Sequence, residues 1–366
     1  MKVIMTGGGT GGHIYPAVAI ADKIKERYPD SQILFVGTEH GLEKKLVPEC
    51  GYAIEFITVA GFNRKHPLKN IEVMKKLRKG NKQAKKIIDV FKPDLVIGTG
   101  GYVAGPVVRA AHKAGVKTYA HEQNAFPGVT NKLLENYVEK LFLGFPEAQK
   151  HFNHRKKHVI AGNPVRRAFF EADPVQSRKK LGFPPEDFIL LAFGGSQGAG
   201  RINKAMLNVI EVMNGMKGIQ VCMATGSRYY HAILNELREE RGLSIADNIH
   251  ILEYISNMEE YLSAADLVIS RSGALTVAEV TVCGKAAIFI PSPMVTGNHQ
   301  YYNAKAVADN GGALLLEEKN LDSEKLIAQI LKLKNDRKLV AEMSARSKES
   351  AFEDAAEIIC NNLDIQ

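Results

Sequence analysis

The chain contains no tryptophan and only four cysteines in 366 residues. Cys50, Cys222, Cys283 and Cys360 lie far apart and form no C-x-x-C pair. A disulfide scaffold or a thiol-based zinc framework is therefore excluded, and reduced thiols in a cytosolic protein are expected. Long apolar runs are also missing. The longest, such as Phe188–Phe193 and Ala286–Pro291, fall far short of the roughly 20 residues that span a bilayer. The first residues, Lys2-Val3-Ile4-Met5-Thr6, read as a strand, with no charged-then-apolar signal region and no small-residue cleavage site. A cytoplasmic location is expected. No G-x-x-x-x-G-K-[ST] occurs, which excludes a P-loop NTPase, and no D-x-D pair stands ready to hold a metal beside a diphosphate. His151, His154 and His158 have near-ligand spacing but sit among Arg155, Lys156 and Lys157. They read as a solvated basic connector rather than a metal site, and neither metal nor cofactor is expected.

What is present is a globular chain long enough for two domains at roughly 100–200 residues each. Its net charge of +8 is unevenly spread. Residues 1–163 carry 26 Lys+Arg against 14 Asp+Glu, or +12, and residues 164–366 carry 22 against 26, or −4. A basic half suits an anionic partner: phosphates, nucleic acid or an anionic membrane. Aromatics are sparse in that half and no nucleic-acid-binding module pattern appears, so no nucleic acid is expected.

Short β-branched runs alternate with helical stretches, which predicts parallel strands in a doubly wound α/β arrangement. The first set is Val3–Thr6, Ile33–Gly37, Leu95–Gly98, Lys117–Ala120, Lys140–Gly144 and Val159–Ala161, with helices such as Pro16–Arg27 and Ala104–Ala114 between. The rhythm restarts at Phe188–Phe193 and continues through Ile219–Ala224, Ile249–Leu252, Leu267–Ser270, Ala286–Ile290 and Ala313–Leu316. The expected fold class is α/β, with two Rossmann-like doubly wound parallel-sheet domains facing a cleft. The boundary falls at Gly162-Asn163-Pro164-Val165-Arg166, giving domains 1–163 and 164–340. A C-terminal helical tail, about 341–366, is expected to pack back.

Three turns carry chemistry. Between the first strand and helix lies Gly7-Gly8-Gly9-Thr10-Gly11-Gly12-His13, with five glycines in residues 7–12. It contains G-x-G-x-x-G, a weak dinucleotide signal on its own, and Glu39 follows the second strand too late for the usual ribose acid. Glycine lets backbone approach a ligand, and free N–H groups at the next helix start can face a phosphate or hydroxyl. The second domain repeats the device at Gly194-Gly195-Ser196-Gln197-Gly198-Ala199-Gly200. Paired turns suit a ligand held from both sides better than a single NAD site. At Arg271-Ser272-Gly273-Ala274-Leu275-Thr276-Val277-Ala278-Glu279 a helix is expected to start at Ser272 or Gly273. Its N–H groups would meet a diphosphate, and Glu279, two turns in, is placed to accept both ribose hydroxyls or is simply a surface glutamate.

The region 61–92 carries eleven Lys and Arg, among them Arg64, Lys65, Lys75, Lys76, Arg78 and Lys79, against only Glu72 and Asp89. Leu68, Ile71, Met74, Leu77, Ala84, Ile88 and Phe91 recur at helical spacing, and that stripe is expected to face the core. Contact with anionic lipid is then left to the loop around Phe62 and to the basic face, at up to about 1 kcal/mol per cation.

Six segments occur in order: the Gly7–His13 turn, His121-Glu122-Gln123-Asn124, Gly162–Arg166, Gly194–Ala199, Arg271–Glu279 and Asn298-His299-Gln300. In these the whole chain resembles the MurG family, which converts lipid I to lipid II in peptidoglycan synthesis. The resemblance implies the GT-B fold and metal-independent, inverting transfer of GlcNAc from UDP-GlcNAc to the 4-hydroxyl of lipid-linked MurNAc-pentapeptide. It implies a peripheral protein on the cytoplasmic face of the cell membrane. By motif, Ser196 and Ala274–Val277, with Ala278 beside them, would meet the diphosphate, Glu279 the ribose and Ile255, by its backbone, the uracil. Arg166 would contact the nucleotide, and Gln300 and Asn124 the GlcNAc hydroxyls. Thr10, Gly11 and Gly12 would approach donor and acceptor. His13 is the candidate general base, with acceptor-phosphate binding as the other reading; Glu122 is the rival base, or orients a neighbour. Some members carry Gln-Gln where this chain has His299-Gln300. A UDP-GlcNAc 2-epimerase of the same fold and an NAD-dependent oxidoreductase are the alternatives, and a non-catalytic membrane adaptor leaves the second and third turns unexplained.

Overall fold

The structure, a computed structural model, describes residues 1–61, 70–195, 197–352 and 354–365. The loop residues Phe62, Arg64 and Lys65, with Leu68 and Lys69, lie outside the described residues, as does Ser196. The chain divides into two compact units, Met1–Val165 with Asp354–Gln366, and Arg166–Glu353.

The first unit holds seven parallel strands in the order β3-β2-β1-β4-β5-β6-β7. They are β1 Lys2–Gly7, β2 Gln32–Gly37, β3 Ala53–Phe56, β4 Leu95–Gly100, β5 Lys117–Glu122, β6 Lys140–Leu143 and β7 His158–Ile160. The central strands are apolar on both faces, as parallel strands covered by helices must be. Val3, Met5, Leu95 and Ile97 pack toward the helix Gly11–Arg27, whereas Ile4 and Val96 join a second layer with Val103 and Val107. β3 escaped the sequence reading because, at the sheet edge, it alternates exposed and half-buried residues instead of running apolar.

The second unit has six parallel strands in the order β10-β9-β8-β11-β12-β13. These are β8 Phe188–Phe193, β9 Ile219–Ala224, β10 Ile249–Leu252, β11 Leu267–Ser270, β12 Ala286–Phe289 and β13 Ala313–Leu315. In each sheet the strand order reverses once, between β1 and β4 and between β8 and β11. Ligands of doubly wound sheets bind beyond the carboxyl ends of the strands at that reversal. The turns leaving β1, β8 and β11 are the three segments read from the sequence; the turn after β4, through Gly100 and Gly101, was not.

The C-terminal tail differs from expectation. The helix Arg337–Glu349 stays in the second unit, against the helix Ala274–Val282 and β12. Only Ala355–Asn361 returns to the first. There Ile359, Cys360 and Leu363 enter the core, and Lys23 lies 3.1 Å from both Asp354 and Glu357. The sequence read the tail as one helical stretch; which core each helix serves depends on the sheet it meets.

The helix Asn70–Phe91 is also rotated from expectation. Val73, Ala84 and Ile88 are buried, with Gly80 on the same side, but Ile71 is 63% and Met74 43% exposed. Val73, Gly80, Ala84 and Ile88 are spaced i, i+7, i+11 and i+15, which keeps them on one face; Ile71 is two residues from Val73 and turns outward. A β-carbon on Gly80 would stand 2.6 Å from the Thr58 carbonyl oxygen, so this helix crosses the chain after β3 at close range.

The histidine cluster is not uniformly solvated either. His158 is a buried partner of Glu135, Nε2 to Oε1 2.8 Å, while His154 Nε2 lies 2.9 Å from Asn136 Oδ1. β7 carries His158 against β6, which is why a residue beside a basic run ends inside. Among the described residues no group of three His, Cys, Asp or Glu side chains is arranged to hold a metal ion.

Candidate active site

In the first unit the turn Gly8-Gly9-Thr10 leaves β1 at the strand-order reversal. Gly9 has φ +86°, open to glycine without strain, and a β-carbon there would meet nothing. Gly9, Thr10 and Gly12 are exposed and Gly11 is half-buried. The turn is held from behind by Glu43, a buried carboxylate that accepts from the Gly9 N–H at 2.9 Å, the Thr38 N–H at 2.9 Å and the Thr38 hydroxyl at 2.7 Å. Sequence reasoning weighed exposed Glu39 and missed Glu43, which carries no motif; its only signal is its position just past β2.

His13 is half-buried on the first turn of the helix Gly11–Arg27. The Thr99 hydroxyl donates to its backbone carbonyl at 2.7 Å, and its Nδ1 stands 3.0 Å from Gln123 Oε1. Gly100, at φ +110°, closes the same corner: a β-carbon there would sit 2.8 Å from His13 Nδ1.

β5 supplies His121 and Glu122, and Gln123 and Asn124 follow it. Glu122 is buried, and four donors fill its carboxylate: the Asn124 N–H at 2.9 Å, Asn124 Nδ2 at 3.1 Å, the Gly128 N–H at 3.0 Å and Asn131 Nδ2 at 2.9 Å. So engaged, it ties Asn124 to Gly128 and Asn131. Its lone pairs are committed to donors rather than free for a proton.

In the second unit Gly194 and Gly198 let the turn after β8 fold tightly, with Gly198 at φ +73° against the Thr225 carbonyl. After β11, Ser272 and Gly273 lead into the helix Ala274–Val282, which therefore begins one residue later than Gly273. Ala274, Leu275, Thr276, Val277, Ala278 and Glu279 all lie on it. The Ser272 hydroxyl donates to the Gln300 carbonyl at 2.8 Å, and Asn303 Nδ2 donates to the Ser272 carbonyl at 3.2 Å. These ties anchor the helix start to the segment carrying Gln300. The Gln300 side-chain oxygen accepts from the Ser292 N–H at 2.8 Å, which leaves the amide NH2 as its unengaged end among the described residues.

The Glu279 carboxylate accepts no hydrogen bond from the described residues. Burial raises its carboxyl to about 7, against the pull of the Arg166 guanidinium and with a further push from Glu259. Arg166 itself pairs with Glu259 at 3.0 Å and lies over the Phe169 ring. Ile255 is buried in the loop after β10.

The helix starts share one property. The helices Gly11–Arg27, Gly101–Lys113, Gly200–Met213 and Ala274–Val282, which follow the four reversal-point strands, have neither a capping side chain nor an acid in the first turn. Asp173, Asp322, Asp336 and Asp354 cap other helices at 2.8, 2.9, 3.0 and 3.0 Å, whereas Val129–Leu134, Tyr230–Asn235 and His299–Ala308 are also uncapped and acid-free. An uncapped start leaves N–H donors and the positive helix end open to an anion.

Sheets of this topology in tandem, with their strand-order reversals followed by uncapped helix starts, define the GT-B fold. The glycosyltransferase family 28 N-terminal domain matches residues 3–143 and the family 28 C-terminal domain residues 189–359. The UDP-N-acetylglucosamine–N-acetylmuramyl-(pentapeptide) pyrophosphoryl-undecaprenol N-acetylglucosamine transferase of Acetivibrio thermocellus is 44% identical over 98% of this chain and 96% of its own. The crystal structure of Acinetobacter baumannii MurG superposes with a TM-score of 0.77 at 27% identity, covering 98% of both chains. The chain belongs to the MurG family of glycosyltransferases. The UDP-GlcNAc 2-epimerase of Neisseria meningitidis bound to UDP-GlcNAc, covering 99% of both chains with a TM-score of 0.70, shares only 14% identity and so shares the fold alone.

Proposed function

We propose that the chain transfers GlcNAc from UDP-GlcNAc to the 4-hydroxyl of undecaprenyl-pyrophosphoryl-MurNAc-pentapeptide, inverting the anomeric carbon to a β1→4 link. The observation that carries this reading is the helix Ala274–Val282: an uncapped start, with the Glu279 carboxylate about one and a half turns along and without a hydrogen-bond donor among the described residues. The N–H groups of Ala274, Leu275 and Thr276 would neutralise the diphosphate, with Val277 and Ala278 beside them and Ser196 as a further donor. Ionised Glu279 would accept the ribose hydroxyls. Arg166 and the backbone of Ile255 would hold the nucleotide, and the free amide NH2 of Gln300 a GlcNAc hydroxyl. UDP leaves with added negative charge, and fixed amides aimed at it lower the barrier without reorganising.

The first unit would receive the acceptor. Thr10, Gly11 and Gly12 present backbone, Asn124 is oriented by Glu122 toward sugar hydroxyls, and His13 takes the proton from the attacking hydroxyl. The basic 61–92 region would dock on anionic lipid at the cytoplasmic membrane face, with Ile71 and Met74 entering beside Lys75, Lys76 and Arg78. Among the described residues no helix is long and apolar enough to cross a membrane. No nucleic-acid partner is proposed.

The test is transfer of labelled GlcNAc from UDP-GlcNAc to a lipid I analogue, with and without EDTA. Transfer at an equal rate in both is expected. No transfer overturns the proposal, and loss of transfer only with EDTA overturns the metal-free part of it.

A further inference from the structure

We infer that Gln123 and His121 act as positioning residues that fix the tautomer of His13, placing its lone pair on Nε2. The inference rests on the proposed role of His13 as base and says how a neutral imidazole is made ready for it.

The hydrogen-bond chain starts from groups that can only accept. The Gly162 carbonyl lies 2.9 Å from His121 Nε2, so that nitrogen carries the hydrogen. His121 has no solvent exposure. Burial pushes its imidazole down to about 4, against the Gly162 carbonyl and with a small push from His13, so the ring is neutral and its Nδ1 holds a lone pair. Gln123 is buried as well, and its side-chain nitrogen stands 2.8 Å from the Thr99 carbonyl and 2.9 Å from His121 Nδ1. Both are acceptors, so the amide nitrogen belongs on that side and the amide oxygen faces His13. An amide oxygen cannot donate. The 3.0 Å contact between Gln123 Oε1 and His13 Nδ1 is therefore a hydrogen bond given by His13. A neutral imidazole has one N–H, so Nε2 is left as the base.

The relay is braced at each step. Asn163 Nδ2 donates to the Gln123 carbonyl at 3.0 Å, and the Thr99 hydroxyl to the His13 carbonyl at 2.7 Å. Free histidine in water favours the opposite tautomer, with hydrogen on Nε2, so the hydrogen-bond chain has a definite task.

The ring 15N–1H correlations of the full chain, labelled with 15N-histidine and measured at pH 8.5, read the tautomers directly; His13→Gln assigns the His13 signals. Hydrogen on Nδ1 of His13 and on Nε2 of His121 is expected. Hydrogen on Nε2 of His13 overturns the relay. In the transfer assay, Gln123→Met keeps the side-chain length but offers neither donor nor acceptor. Its kcat should fall on the order of 10²-fold while KM for UDP-GlcNAc stays within roughly two-fold. An unchanged kcat in folded Gln123→Met also overturns the relay, and if that variant does not fold the wild-type spectrum decides alone. A wild-type chain that transfers normally with His13 protonated on Nε2 sinks the relay only. One that gives no transfer sinks the proposed function and, with it, the base.

Discussion

Glu279 carries both a structural cost and a proposed use. Its carboxyl is raised to about 7 in the folded chain, above the ordinary 4.5. Between those values the unfolded chain has already lost the proton that the folded chain keeps, so stability falls as pH rises from about 4.5 to about 7 and then levels. Glu279→Gln should remove that decline, which the pH dependence of Tm for the ligand-free protein would detect. The same variant should weaken UDP-GlcNAc binding above pH 7, where the wild-type carboxylate is ionised. If both curves match the wild type, the ribose role fails. At this scale the sequence singled out His13 and Glu279 by the turns they follow, and Gln300 by the family resemblance alone. It was silent on Glu43, whose importance comes from three donors that only the folded sheet gathers around it.

Helices show where pattern suffices and where it does not. Those after β1 and β8 were legible from glycine runs following apolar strands. The helix Asn70–Phe91 was legible as a helix, but its buried face was misjudged, because Gly80 contributes no apolar side chain to the stripe yet marks the point of closest approach. Gly80→Ala weighs two effects. Alanine favours helix by about 0.8–1.0 kcal/mol, whereas forcing a β-carbon to 2.6 Å from the Thr58 carbonyl is overpacking that costs about 1–3 kcal/mol. The second should win, with a net loss of about 1 kcal/mol in urea unfolding; a gain in stability would show that the helix shifts freely.

For the molecule as a whole, charge is the property that sequence composition carries best. The +12 of residues 1–163 against −4 for the remainder predicts binding to vesicles containing anionic lipid, lost as salt rises because screening shortens the reach of surface charge to about 8 Å at 0.15 M. Vesicle co-sedimentation across a salt series checks this, and Ile71→Ser with Met74→Ser should weaken the binding seen at low salt. Salt-independent binding, or none, would refute the docking surface. The sequence alone determined the two parallel sheets and the glycine turns, because hydrophobic runs and glycine conformations act locally. Only the tertiary structure decided which core each C-terminal helix joins, which face of the basic helix is buried and how Gln123 is oriented against His13. Those outcomes depend on partners far away in sequence, and no local pattern encodes a hydrogen bond between residues 13 and 123.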